Sequence, residues 1–412
     1  MTLSKMEIES QVIEAIDYFT EKYTKDFEHI AGEMYKNPEV AFEEKFAHDL
    51  IATYFESFGE FKVTRHAYGF RTAFEVLYEN GGRLVNFNAE LDALPGIGHG
   101  CGHNLIAAGS CAAFLVLVRV LQKFNMSGSV QLLGTPAEES LGGKCHLLKG
   151  GAYKNVDASF MAHPITTNGL DMIMVPSVFL ATSYREYEFT GKPAHAAAFP
   201  WDGVNALDAC VASWVNVSLL RQQIKPHERI HGFFKDGPTV ANVIPESAKV
   251  VFQFRSKTRQ EMESLASRVE NCCNAAALAT ECTLKSKEIF CYLDMIQVPS
   301  LIEACYESTK KYAKNETQVL GESSIMKDIY GSSDIGNVSQ EVPAIHLAYS
   351  IPTLENCAQH SHVFAQSAGQ LSTAMPPTLV TAKSNALSAF KVLQDDGLFA
   401  KVGKEHKIQV KY

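Results

Sequence analysis

Residues 88–104 read N-A-E-L-D-A-L-P-G-I-G-H-G-C-G-H-N and hold more reactive side chains than any other stretch of this chain. Apolar and polar residues alternate from Leu84 to Leu91, which predicts a strand that ends near Asp92. The glycines that follow predict a loop whose backbone can approach a bound group closely. This loop would aim three side chains at one centre: His99, Cys101 and His103. Because thiolate and imidazole are preferred metal ligands, the stretch favours a metal site over a buried cysteine beside a helix-capping histidine.

The composition is that of a globular enzyme. The chain has 412 residues, 46% of them hydrophobic and 20% charged, which predicts two domains with substantial cores. A net charge of -9 without a basic patch argues against nucleic acid as a partner. The apolar run from Leu105 to Leu121 contains Ser110 and Arg119, so we interpret it as a buried helix and expect no membrane partner. Ten cysteines without framework spacing, and a first segment unlike a signal peptide, predict a cytoplasmic protein with free thiols.

Strand and helix patterns alternate over most of the chain, which predicts an α/β fold with a mainly parallel sheet between helices. Between 183 and 288 the pattern changes to strands with two long helices, typical of a smaller α+β unit of ferredoxin-like type. We therefore expect a catalytic domain formed by residues 1–182 and 289–412, with residues 183–288 as an inserted lid or dimerisation domain.

Polar side chains follow several of the predicted strands, where ligands of parallel sheets bind. Asp92 follows one strand, the turn T-P-A-E-E with Glu138 and Glu139 follows the next, and His163 ends a third. Adjacent carboxylates in a turn diverge, so one can bind a cation while the other acts as a general base. Taken alone, the glutamate pair also fits a solvated acidic turn, and His163 also fits a structural histidine. The same alternative applies to the histidines of His360-Ser-His362.

Together these residues predict a dinuclear centre, which needs about six to eight donor positions. Five are expected to come from side chains and the rest from water: Cys101, His103, Glu139, His163 and His362. Cys101 is the best candidate for a bridging thiolate, and Asp92 for the carboxylate that orients His103. A cysteine-protease role for Cys101 explains neither the glutamate pair nor His163.

Six motifs occur in order along nearly the whole chain: A-E-L-D-A-L-P-G-I-G-H-G-C-G-H-N, G-T-P-A-E-E, M-A-H-P, G-K-P-A-H-A-A-A-F-P-W-D-G-V-N-A-L-D, N-V-I-P and G-S-S-D-I-G-N-V-S. Together they resemble metallopeptidase family twenty, the group of aminoacylases, hippurate hydrolases and carnosine-type dipeptidases. The chain looks closest to the branch with Cys-Gly-His, and within it to dipeptidases acting on β-alanyl and other dipeptides that end in Lys or Arg. It departs from that branch at Asn104, where Asp is usual, and from other branches at Glu90, where they have His.

The resemblance implies roles for individual residues. Glu138 would be the general base, Cys101 would bridge two zinc or manganese ions, and the other four predicted donors would complete their coordination. Substrate contacts are implied for Asn242 and Arg255, which would hold the carboxylate, and we place Gly331 and Ser332 in the same pocket. His195 would reach the active site of a partner subunit and stabilise the oxyanion, which requires a homodimer built through the inserted domain.

The sequence therefore predicts a cytoplasmic, metal-dependent amidohydrolase whose small-molecule substrate is a dipeptide or an N-acyl amino acid. Glu138 would take a proton from water and return it to the leaving amine. Two alternatives use the same residues: an enzyme that forms or cyclises amides, and a catalytically silent binding protein on this fold.

Overall fold

The computed structural model describes residues 5–167, 169–321, 331–354 and 357–410. Its helices are α1 (Lys5–Lys36), α2 (Lys45–Glu56), α3 (His103–Phe124), α4 (Gly143–Lys149), α5 (Ala206–Leu220), α6 (Arg259–Thr280), α7 (Pro299–Tyr312), α8 (Ile335–Glu341), α9 (His362–Gly369), α10 (Leu371–Gln394) and α11 (Asp396–Gln409). Its strands are β1 (Lys62–Arg65), β2 (Phe74–Tyr78), β3 (Leu84–Glu90), β4 (Ser129–Thr135), β5 (Ala158–Ile165), β6 (Met172–Met174), β7 (Ala181–Thr190), β8 (Ala194–His195), β9 (Arg229–Asp236), β10 (Val243–Ile244), β11 (Ser247–Ser256), β12 (Thr283–Tyr292), β13 (Gln318–Leu320) and β14 (Ala344–Ser350).

The described residues form two compact units. Unit 1 comprises those up to Ser177, those from Ile296 to Gly321, and those from Asn337 onward. Unit 2 comprises Val178–Met295 and residues 331–336. The interpretation of the middle segment as an inserted lid or dimerisation domain stays a prediction.

Unit 1 is built on an eight-stranded sheet with the order β1-β2-β4-β3-β5-β14-β6-β13. The four central strands run parallel, whereas β1, β2 and β6 introduce antiparallel pairs. The central strands are buried along nearly their whole length, because parallel strands are covered on both faces. The predicted α/β class with a mainly parallel sheet is confirmed.

Helix α3 is the core helix of unit 1. It contacts α1, α10 and β3, and its buried residues run from His103 to Leu121. Among the described helices it alone is long and apolar enough to cross a membrane, yet 89% of its most apolar window is buried in the protein. Its composition therefore serves the core, and its first residue is the candidate ligand His103.

Unit 2 is a four-stranded antiparallel sheet with the order β12-β7-β11-β9, and both α5 and α6 pack against it. Its core consists of inward-facing residues of β7 and β11, such as Tyr187 and Phe252, together with helix residues such as Leu265. Strand β9 forms one edge of the sheet. A separate pair of short strands, β8 and β10, holds His195 opposite Val243.

Candidate metal and catalytic centre

Asp92 organises the site from a position just beyond the end of β3. Its Oδ1 accepts a hydrogen bond from the backbone N–H of Glu138 at 3.1 Å, and its Oδ2 accepts one from Glu139 at 3.0 Å. Oδ1 also lies 3.2 Å from Nδ1 of His103. One buried carboxylate therefore fixes the glutamate turn and places the proton of His103 on Nδ1, which leaves Nε2 to act as a ligand.

Glu44 braces the same turn from another segment. Its Oε1 accepts hydrogen bonds from the N–H groups of Ala137 and Phe42, both at 2.9 Å. Ala137 has a φ of 59°, a strained value that these contacts help to hold. Burial raises the pKa of Glu44 to about 7. Three consecutive N–H groups, from Ala137 to Glu139, thus donate to buried carboxylates, and this fixes the backbone that carries Glu138 and Glu139.

Cys101 is shared by two groups of candidate ligands. Its Sγ lies 3.2 Å from Nε2 of His163 and 3.3 Å from Nε2 of His360. The first group is Cys101, His103 and His163, and the second is Cys101, Glu139 and His360. Within each group the candidate ligand atoms lie within 4.8 Å of one another. This arrangement has the form of two ion positions that share a thiolate.

Of the two histidines in the C-terminal loop, the structure places His360, and not the predicted His362, beside the other candidate ligands. His362 is exposed and begins α9, and it belongs to neither ligand group of the described centre. His360 takes the expected place, with Nε2 at 3.6 Å from Oε2 of Glu139. The reason is the helix cap: Ser361 accepts from the N–H of Phe364 at 3.2 Å, so the residue before this cap stays in the loop. The serine was visible in the sequence and could have indicated this boundary.

Backbone conformation and local hydrogen bonds orient the other predicted ligands. Gly102 has a φ of 79°, and a Cβ there would lie 2.5 Å from Cγ of Pro164, so glycine is required at this approach. His163 directs Nδ1 at the carbonyl oxygen of Pro164 at 2.7 Å, which leaves its Nε2 facing Cys101. His99, also expected to face the centre, instead directs Nε2 at the carbonyl of Met34 at 3.1 Å.

The electrostatics of the centre fit divalent cations. Burial lowers the pKa of His163 to about 4, so its imidazole is neutral, which is the form that binds metal. Burial and the Glu139 carboxylate raise the pKa of the Cys101 thiol, which becomes a thiolate only beside a strong positive charge. Buried atoms of two donors have no hydrogen-bond partner among the described residues, Nε2 of His103 and Oε1 of Glu139, and they lie 3.7 Å apart. A cation between them would satisfy both.

Glu138 lies beside these donors. It is buried and forms a further candidate group with His103 and Glu139. Its backbone is fixed by Asp92, whereas Cys101, His360 and Glu139 already account for one ion position and His163 and His103 for the other. Glu138 thus lies beside one candidate ligand of each ion position, His103 and Glu139.

The remaining predicted residues lie in unit 2 and are described within it. Nδ1 of His195 accepts hydrogen bonds from the N–H groups of Ala197 and Ala198, both at 3.2 Å, so a neutral ring carries its proton on Nε2. His195 is exposed, and so is Asn242, whose carbonyl accepts from Ala196.

Arg255 donates from Nη1 to the hydroxyl of Ser332 at 2.9 Å, and burial lowers the pKa of its guanidinium. Gly331 accepts a backbone hydrogen bond from Leu180. Substrate contact by these residues stays a prediction.

Two residues of the centre were not predicted as functional. Oε2 of Glu90 lies 3.3 Å from Nε2 of His103, and Oε1 lies 2.5 Å from the Lys144 ammonium. Burial alone would raise the pKa of Glu90, but Lys144 and His103 lower it to about 2. The sequence showed Glu90 only as a departure from other branches, and it carried no signal for Lys144.

Both the sequence and the fold are similar to those of known proteins. The model of peptidase family M20/M25/M40 matches residues 86–371. The Xaa-Arg dipeptidase of Mus musculus is 38% identical over 90% of this chain and 87% of its own length. The fold resembles that of an aminobenzoyl-glutamate utilization protein from Klebsiella pneumoniae, with a TM-score of 0.70, 16% identity and coverage of 92% and 99% of the two chains. It also resembles the YXEP protein of Bacillus subtilis, a dinuclear metal-binding peptidase, with a TM-score of 0.64, 16% identity and coverage of 90% and 99%.

Proposed function

Because the chain belongs to peptidase family M20/M25/M40 and is a metal-dependent amide hydrolase, we propose that it is a dipeptidase whose substrates end in Arg or Lys. The observation that carries the catalytic part is the sharing of Cys101 by two donor groups beside the buried Glu138. The preference for a basic residue is supported by the likeness to the mouse Xaa-Arg dipeptidase. We propose zinc or manganese for the two ions, since the donors combine thiolate and imidazole with carboxylate.

The residues of the chain divide the work of hydrolysis. When bound, two divalent cations supply positive charge to the attacking water and to the amide carbonyl. Glu138 removes a proton from that water and delivers it to the leaving amine nitrogen. Asp92 holds the backbone of Glu138 and the ring of His103, so the base and one donor keep a fixed spacing. His195 donates from Nε2 to the oxyanion, and Arg255 and Asn242 hold the substrate carboxylate.

A homodimer through unit 2 is also proposed. Helix α5 exposes Val211, Val215 and Leu219 at helical spacing, and the edge strand β9 exposes Phe233 and Phe234. Apolar side chains on a helix and on an open sheet edge support pairing with a second copy. The ten cysteines, all described and none in a disulfide, support a reducing compartment such as the cytoplasm.

The test is hydrolysis by protein purified without added metal and then loaded with Zn²⁺ or Mn²⁺. The panel pairs dipeptides that end in Arg or Lys with dipeptides that end in Leu, and adds N-acyl amino acids. We expect kcat/KM for the basic dipeptides to exceed that for the matched Leu dipeptides at least about tenfold, a difference of about 1.4 kcal/mol. A chelator should abolish turnover. Metal binding without cleavage of any of these amides would contradict the proposed function.

A further inference from the structure

Gln359 directly precedes the candidate ligand His360, and its side chain faces the thiol of Cys101. Its Nε2 lies 3.9 Å from Sγ of Cys101 and donates to the carbonyl oxygen of Pro164 at 3.1 Å. Since a carbonyl oxygen can only accept, the NH₂ group of the amide is the one that faces Pro164. This group carries two hydrogens, so it can serve both acceptors at once. The amide therefore joins the loop of Cys101 to strand β5.

The carbonyl oxygen of Pro164 also orients a candidate ligand. It lies 2.7 Å from Nδ1 of His163, whose Nε2 faces Cys101. A carbonyl oxygen has two lone pairs, so it can accept from His163 and from Gln359 together. A change at Gln359 should therefore affect the position of this oxygen and, through it, the orientation of the His163 ring.

The backbone beside Gln359 is held under strain. His360 has a φ of 61°, a value that is uncommon for a residue with a side chain. Its N–H donates to the carbonyl oxygen of Gly100 at 3.0 Å. Such strain persists only where the surrounding structure holds it. The backbone bond to Gly100 and the side-chain bond from Gln359 to Pro164 anchor this segment on both sides of Cys101.

Gln359 differs in chemistry from the histidines around the sulfur. Nε2 of His163 and Nε2 of His360 lie 3.2 Å and 3.3 Å from Sγ, and both histidines belong to the candidate ligand groups. An amide NH₂ group is only a donor, so Gln359 faces the sulfur as a hydrogen-bond donor and not as a ligand. A hydrogen bond to an ionised acceptor is stronger than one to a neutral acceptor. The contact should therefore strengthen when Cys101 becomes a thiolate.

We propose that Gln359 is a positioning residue of the metal centre, which donates a hydrogen bond to the Cys101 thiolate and fixes the carbonyl oxygen that orients His163. This inference rests on the proposed metal centre. Hydrogen bonds to a metal-bound sulfur, and contacts that orient its neighbouring ligands, tune how strongly those ligands bind. Gln359 thus sets both the electron density on the shared sulfur and the affinity for the ions.

The experiment loads the purified chain with Co²⁺ and records the near-ultraviolet band in which a thiolate transfers charge to cobalt. The chain has ten cysteines, so absence of the band in Cys101→Ala assigns it to this sulfur. Gln359→Met keeps the side-chain length and removes the amide. We expect the band to shift to longer wavelength, because a sulfur that has lost a hydrogen bond gives up an electron more readily. The dissociation constants for Zn²⁺, measured by competition with a chromophoric chelator, should rise by about tenfold.

Two further variants keep the result decisive. Gln359→Asn retains an amide but shortens the side chain by one methylene, so it cannot reach both acceptors, and its band should shift in the same direction. Gln366→Met is the matched control, because Gln366 is exposed on α9 and belongs to neither ligand group. Its band and its dissociation constants should equal those of the unmodified chain. A role limited to anchoring the loop would change the number of bound ions but would not move the band.

An unmoved band in folded Gln359→Met would overturn the inference and leave the proposed function standing. Loss of all bound Co²⁺ from this variant would also overturn it, because the expected loss of affinity is only about tenfold. If circular dichroism shows that Gln359→Met is unfolded, an unmoved band in Gln359→Asn overturns the inference instead. If the unmodified chain shows no such band, Cys101 is not a thiolate ligand, and the proposed metal centre fails together with this inference.

Discussion

Two regions of the molecule are unusual in opposite ways. One is the rim of the unit 1 sheet, where Glu90, Asp92 and His103 lie near the end of β3, and the other is the exposed face of α5 in unit 2, formed by Val211, Val215 and Leu219. At the rim, Glu90, Asp92 and His103 are almost completely buried although they are charged or polar. On the exposed face of α5, Leu219 is 69% exposed although its side chain is apolar. Buried charge requires a counter-charge, and a row of exposed apolar side chains is typical of a contact surface. Each region therefore supports one of our proposals: cations bind at the rim, and a second copy of the chain packs on α5.

The two regions also differ in how they are fixed. At the rim, Asp92 and Glu44 hold consecutive backbone N–H groups, so the donors are in place within one chain. The exposed face of α5 is held by the packing of the opposite side of the helix against α6 and β11, and the role that we propose for it is in an assembly. Changes at the rim should therefore affect chemistry first, and changes on the face should affect association first.

The largest effect is expected at Cys101. Cys101→Ala removes the donor common to both ligand groups, so the ion content should fall and dipeptide hydrolysis should drop to the background rate. Mass spectrometry of the purified variant and a hydrolysis assay measure the two quantities. Retention of two ions would show that the thiol does not bridge them.

Glu138→Gln separates chemistry from metal binding. The substitution keeps the side-chain shape and the backbone hydrogen bond to Asp92, but it removes the proton acceptor. We expect kcat to fall by about 10²–10⁴-fold with both ions retained. Ion content and kcat are measured on the same preparation, and loss of an ion would mean that Glu138 is a ligand.

His195→Ala tests whether a residue of unit 2 takes part in catalysis, as we propose. Loss of a donor to the developing oxyanion should lower kcat by about a hundredfold, or about 3 kcal/mol. If His195 acts across a dimer, mixing inactive Glu138→Gln subunits with His195→Ala subunits regains activity, because one site per mixed dimer is intact. Subunit exchange is verified with differently tagged chains. Exchange without recovered activity would place the action of His195 within its own chain.

Val215→Asp tests the exposed face of α5. A carboxylate on this apolar row should weaken dimerisation by about 2 kcal/mol or more, detectable by light scattering over a dilution series. Leu278→Asp is the matched control, since Leu278 is 84% exposed on α6 and lies outside the proposed contact surface. Equal dissociation constants for the two variants would remove α5 from the dimer contact.

The smallest effect on catalysis is expected at Glu44, whose contribution appears in stability. Its pKa rises from an ordinary 4.5 to about 7 on folding, so the folded chain binds the proton more tightly. The stabilisation is complete below pH 4.5 and is lost as the pH rises to about 7. Relative to Glu44→Gln, the unmodified chain should lose on the order of 3 kcal/mol of unfolding free energy between pH 4.5 and 8. Denaturant titrations at several pH values measure this, and a pH-independent difference would contradict it.

The sequence was sufficient to predict the mainly parallel sheet and most of the candidate metal ligands. Buried parallel strands have long apolar runs, and Asp92, Glu139 and His163 were found because they follow or end such runs. The choice between His360 and His362 depended on a helix boundary, which sequence patterns locate poorly. Glu44 contacts Ala137 across 93 residues, and Lys144 contacts Glu90 across 54, so neither pairing has a local signal.

The separation of Cys101 from His360 determines when this centre can exist. The two residues lie 259 positions apart, and all of Val178–Met295 is translated between them. During translation, His360 is therefore added well after the other candidate ligands, which are Cys101, His103, Glu139 and His163. Because β14, which leads to His360, pairs with β5, the central sheet is itself unfinished until that point. The donor group of the proposed second ion, Cys101, Glu139 and His360, is therefore complete only after β14 and His360 have been translated.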